Sequence, residues 1–188
     1  MQLSPGLRRL AKDLESGLPA PVGRPIHVRF LPNLHAHRGR LLSRPIGQPI
    51  HAACDLRKRD IVLDSGLRSQ PGELRRILAH ELFHFAWVCL GNPGRRSYAQ
   101  LIDNEWARRA RGELGWSAQY RKDELRHTPV SDRNPRHWRD YVCESFCDTG
   151  AWLYSGIPSH AEFTLAGRFT KIRAAWFQEY FRGRRLSI

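Results

Sequence analysis

The sequence predicts an α+β fold in a single domain. A small antiparallel-containing sheet in the N-terminal half packs on one strongly apolar helix, and the C-terminal half is mostly helical. Three observations predict this. The chain has 188 residues, enough for one ordinary domain. Short runs of strand-like alternation are confined to its first third. Segments with a 3.6-residue apolar period fill the remainder, and strands followed by helices is the order of an α+β protein.

The elements follow in order. Residues 4–16 carry Leu7, Leu10, Ala11 and Leu14 at helical spacing behind a Ser4-Pro5 start. Pro19, Pro21 and Gly23 mark a connector. Residues 26–31 alternate as a strand, and residues 39–43 form a weaker one. Residues 51–54 and 60–63 read as two strands joined by the polar turn Asp55-Leu56-Arg57-Lys58-Arg59. Residues 73–90 are the clearest helix, with Leu74, Leu78, Leu82, Phe85 and Cys89 three or four apart, and Gly91-Asn92-Pro93-Gly94 is expected to stop it. A second helix is expected over 98–111. Residues 112–136 are polar and contain Pro129 and Pro135, so they read as a long loop with a short helix inside. A third strong helix should begin near Pro135 or Trp138 and end at Tyr154. A last helix is expected over 159–181, followed by a basic tail.

Composition narrows the function classes. The hydrophobic share of 41% and the charged share of 26% suit a soluble globular chain. No apolar run is long enough to cross a bilayer, and the first 17 residues lack the apolar stretch of a signal peptide. With only four cysteines, a disulfide scaffold is not indicated and a cytoplasmic setting is expected. The net charge of +13 is the unusual bulk property. Arg doublets such as Arg8-Arg9, Arg75-Arg76, Arg95-Arg96 and Arg184-Arg185 are dispersed and form no block, so a nucleic-acid partner is an alternative and not the favoured reading.

The strongest helix contains His80-Glu81-Leu82-Phe83-His84. Two histidines four apart on a helix lie one turn above each other and can reach one ion. Glu81 is rotated about 100° from His80. That leaves its carboxylate beside the metal site and free to act as general base on water. With nine His and nine Glu in the chain, such a motif arises by chance about 0.02 times per sequence of this length. An open catalytic zinc site needs a third protein ligand. Glu144 and Asp148, four apart on the other strong helix, are carboxylates among apolar neighbours and are costly there unless paired or metal-bound. Glu144 is expected to complete a Zn²⁺ site, and Asp148 to accept a hydrogen bond from the other ring nitrogen of His80.

The pairing of an HExxH helix with a later helix bearing Glu-x-x-x-Asp resembles the gluzincin zinc metallopeptidases. The small size and the 59-residue interval between His84 and Glu144 are similar to minimal gluzincins and, more loosely, to ImmA/IrrE-type peptidases. The resemblance covers 73–90 and 138–154 and the order of strands before the active helix. It implies a zincin-like fold, zinc held by His80, His84 and Glu144, Glu81 as base, Asp148 behind the ligands, and a peptide or protein substrate. One departure is Cys143, where the fuller gluzincin pattern has Asn. The strand Asp60-Ile61-Val62-Leu63-Asp64 is a candidate edge for pairing with an extended substrate. Tyr154 and His160 rank first as stabilisers of the developing oxyanion, ahead of Tyr141, His127 and His137. Cys143 and Cys147 read as small packing residues. The reading of a different class is a basic nucleic-acid-associated protein with a structural or regulatory zinc site.

Overall fold

The computed structural model describes residue 14 and residues 18–128 and 134–188. The helix expected over 4–16 lies outside the described residues except for Leu14, which is buried. Among the described residues the fold is mixed α and β. Strands β1 (Pro21–Val22), β2 (His27–Leu31), β3 (His35–His37), β4 (Arg40–Leu42), β5 (Gln48–Pro49), β6 (Ala52–Asp55) and β7 (Asp60–Asp64) precede the helices. Helices α1 (Pro71–Cys89), α2 (Gly91–Ala107), α3 (Trp116–His127), α4 (Pro135–Tyr154) and α5 (Gly167–Phe181) follow, and β8 (Leu186–Ser187) closes the chain. Among the described residues, no helix is long and apolar enough to cross a membrane.

The sheet that matters for the site has the order β2-β7-β6, with β2 parallel and β6 antiparallel to β7. The strand Asp60–Asp64, expected at an edge, is therefore the central one. Its Ile61, Val62 and Leu63 are all buried, and such a run suits a strand flanked on both sides. The edge beside the helices is β6. A second small sheet pairs β3 with β4 and β5, and the basic tail pairs through β8 with β1. Leu186 of that tail is buried in the helical core.

Helix α1 lies between two hydrophobic cores. Leu74, Leu78, Leu82 and Phe85 pack with Ile26, Ile61 and Leu63 of the sheet side. Phe83 and Ala86 face the other way, into an aromatic core with Tyr98, Phe146 and Phe177. Helix α4 crosses α1 closely at Gly150, where an added Cβ would lie 2.4 Å from the Phe83 ring. Removing the side chain there lets the two helices that carry the candidate site approach each other.

Two boundaries differ from the sequence reading. Gly91 ends α1 with φ +67°, yet α2 starts at once, because Pro93 falls in its first turn where no intrahelical N–H is required. The helix expected inside the 112–136 loop is present and runs three turns, over Trp116–His127. The last helix begins only at Gly167, because residues 164 and 165 donate their backbone N–H groups to the Glu113 carbonyl at 2.8 and 3.0 Å.

Candidate metal centre

His80 and His84 sit on adjacent turns of α1 with their Nε2 atoms 3.2 Å apart. Helix α4 brings Glu144 to them, its Oε2 3.3 Å from His80 Nε2 and 3.7 Å from His84 Nε2. A tetrahedral ion bonded at 2.0–2.1 Å separates its donors by about 3.3–3.4 Å. The three donor atoms are therefore spaced to share one small cation. Burial opposes ionisation of Glu144, but the hydrogen bond from His80 and the neighbouring imidazoles outweigh it and hold the carboxyl below its ordinary range.

The reverse side of each histidine is also occupied. His80 Nδ1 is 2.7 Å from Asp148 Oδ1, and Asp148 is itself buried. Burial disfavours a charged His80, but the Asp148 carboxylate prevails and holds the imidazole well above its ordinary range. Asp148 Oδ2 accepts the Ala118 N–H at 2.9 Å in the first turn of α3, where the helix dipole favours an anion. Gly115, just before that turn, stands so close that an added Cβ would lie 2.2 Å from Asp148 Cγ. Sequence reasoning missed this support. Its available signal was a glycine just before a short helix.

His84 Nδ1 faces Cys143 Sγ at 3.7 Å. Cys143, read from sequence as a packing residue, thus stands behind His84 as Asp148 stands behind His80. A hydrogen bond with Cys147 and the nearby His84 bring its thiol below the ordinary cysteine range, while Cys147 is buried and pushed well above it.

Glu81 is buried beside His80 and lines a cleft of about 290 Å³ with His51, Ala52, Arg76, His80 and Trp116. Cys54 of β6 approaches the same carboxylate. Burial and then the Glu81 charge push its thiol up. One wall of the cleft is an ionic bridge. Arg76 binds Glu162 through both terminal nitrogens, at 2.7 and 3.0 Å, and Glu73 at 2.7 Å. Glu162 in turn accepts the Trp116 N–H at 2.8 Å.

Strand β6 flanks Glu81. Asp64 N–H donates to His51 C=O at 2.8 Å, which marks a hydrogen-bonded pair of the antiparallel ladder. Alternation makes Ala53 and Asp55 the next such residues, so the main-chain groups of Ala52 and Cys54 point off the sheet edge.

None of the residues ranked as oxyanion stabilisers is among those that line the cleft. Tyr154 stacks on Phe83 at 5.6 Å with the rings 5° from parallel, inside the aromatic core. Ten residues along α4 carry it about 15 Å beyond Glu144 and around the helix. His160 has both ring nitrogens engaged: Nε2 lies 2.7 Å from Glu73, and Nδ1 accepts the Glu162 N–H at 3.3 Å. Tyr141 is buried and donates its hydroxyl to Glu113 at 2.6 Å. His127 Nδ1 donates to the Asp123 carbonyl at 2.7 Å. His137 lies in the first turn of α4, outside the residues that line the cleft.

Comparison of the chain with protein-family models, with curated proteins and with solved structures finds no match.

Proposed function

We propose that the chain is a zinc-dependent metallopeptidase of the gluzincin kind, built on a zincin-like fold and hydrolysing bonds in a peptide or protein substrate. The observation that carries this reading is the meeting of His80 Nε2, His84 Nε2 and Glu144 Oε2 within 4.8 Å of one another, with Asp148 behind His80. These three residues would hold the ion. Two imidazoles and one carboxylate are the donors of an open, catalytic site, whereas a structural site is closed by four protein ligands. When bound, the cation supplies Lewis acidity, which polarises a peptide carbonyl and lowers the pKa of water.

The residues around it divide the remaining work. Glu81 takes the proton from the attacking water and returns it to the departing amine nitrogen. Asp148 keeps the proton of His80 on Nδ1, so that Nε2 presents its lone pair. The outward main-chain groups of Ala52 and Cys54 pair with an extended peptide and lay its carbonyl along the cleft. A purely structural ion would have no use for Glu81, and this separates the reading from the nucleic-acid alternative.

The test is metal analysis joined to peptide digestion. One ion per chain is expected in both the wild type and Glu81→Gln. Cleavage of a peptide library should be abolished by a chelator and fall about 10²–10⁴-fold in Glu81→Gln. A purified chain without stoichiometric metal, or a Glu81→Gln variant that cleaves like the wild type, would end the proposal.

A further inference from the structure

A second cavity, of about 480 Å³, lies between the end of α1, the first turns of α2 and the first half of α4. Its volume is in the range that holds a small organic ligand. Two indoles line it, Trp87 and Trp138, together with three guanidinium groups, Arg95, Arg96 and Arg139, and one carboxylate, Asp140.

The indoles are set in place from behind. Trp87 packs on Phe146 with centroids 5.2 Å apart, and Trp138 packs on Trp106 and Tyr141, each at 5.4 Å. Rings anchored in this way offer a flat apolar surface at little entropic cost. The cations are not spent on the protein. Among the described residues, Arg96 and Arg139 have no carboxylate partner, and Arg95 reaches only the Asn92 side-chain oxygen, at 2.9 Å. Asp140 already lies 3.8 Å from Arg136. The cavity thus combines ring-sized apolar walls with a local excess of positive charge.

Three ligand chemistries can be weighed against this lining. A purely apolar ligand would leave the arginines unused. An aliphatic acid would leave both indoles unused. A flat heterocycle carrying a phosphate uses both, by stacking on the aromatic walls and by charge-assisted hydrogen bonds to guanidinium.

We propose that this cavity binds a nucleoside monophosphate unit, its base against Trp87 and Trp138 and its phosphate held by Arg96 and Arg139. The unit comes either as a free nucleotide or as one residue of a single strand. The site does not depend on the metallopeptidase reading. Only Cys143, which lines the cavity and touches His84, links the two.

The test is calorimetric titration of the full-length chain with AMP, adenosine, ribose 5-phosphate and an eight-residue oligo(dA). AMP is expected to bind, with adenosine and ribose 5-phosphate each about tenfold weaker or more, since each lacks one recognised half. Charge reversal at two exposed positions, Arg96→Glu with Arg139→Glu, should weaken AMP about tenfold or more while circular dichroism and metal content stay unchanged. Trp138→Leu gives a second, uncharged variant with the same expected loss. Oligo(dA) binding much more tightly than AMP makes the source a strand, and equal affinity makes it the free nucleotide; either supports the site. Silence toward both AMP and oligo(dA), ribose 5-phosphate matching AMP, or charge-reversed protein binding AMP as the wild type does would each overturn it.

Discussion

Asp148 joins His80 to the start of a helix: one of its oxygens lies 2.7 Å from His80 Nδ1 and the other accepts the Ala118 N–H at 2.9 Å. The orientation of the first histidine is thus fixed by a segment 38 residues away from it in sequence, outside both strong helix motifs. Replacing Asp148 by Asn keeps the shape but removes the charge. Metal affinity should fall about 10–100-fold, measured by competition with a chromogenic chelator. Unchanged affinity would show that Asp148 has no part in the site.

Gly115 should be intolerant of any side chain. Its virtual Cβ lies 2.2 Å from Asp148 Cγ, so Gly115→Ala must displace either the helix start or the carboxylate. A cost of about 1–3 kcal/mol is expected, read from the urea midpoint. In an Asp148→Ala background the same substitution should cost less, because the clashing group has gone. Additive costs in that double-mutant cycle would contradict the contact.

Glu113 is the centre of a buried charge network. It receives Lys122 Nζ at 2.6 Å, Arg173 Nη1 at 2.8 Å and the Tyr141 hydroxyl at 2.6 Å, and Glu105 balances Arg173 from the other side. Glu113→Gln leaves two buried cations short of a partner and should cost about 3–5 kcal/mol. Burial pushes the Glu113 carboxyl up, but Arg173 and Lys122 overcome it and hold the group below its ordinary range. A folded pKa below the unfolded one means the stabilisation is complete above the unfolded value, about pH 4.3, and is lost as pH falls toward the folded value. Denaturant midpoints measured from pH 7 to pH 3 should therefore decline in the wild type and decline less steeply in Glu113→Gln. Parallel pH profiles would rule the network out as an acid-sensitive element.

How much of this was legible depends on the type of signal. Helices α1 and α4 declare themselves because their apolar residues recur at 3.6-residue spacing, and His80, His84, Glu144 and Asp148, singled out by spacing and by the cost of carboxylates among apolar residues, lie side by side. Helix α3 gives no such pattern. Only Ala118, Lys122 and Leu125 of its twelve residues are buried, and one of them is a lysine, so the stretch reads as a long loop with only a short helix inside. The middle position of β7 is hidden from the sequence because β2, its parallel neighbour, pairs with it from 33 residues away. Nearness in sequence to Glu144 ranks Tyr154 and His160 first, but helical rise carries the first against the aromatic core and Glu73 takes the second. Cys143 was masked by its type, since a small thiol reads as packing until its neighbour is known.

The double allegiance of α1 has a consequence for how the molecule comes apart. The helix that carries both histidines contributes Leu78 and Leu82 to one core and Phe83 to the other. Neither half can melt while leaving this helix properly clothed, so partial unfolding has no stable resting point that preserves the histidine pair. Loss of either core should scatter the donor atoms in the same all-or-none event.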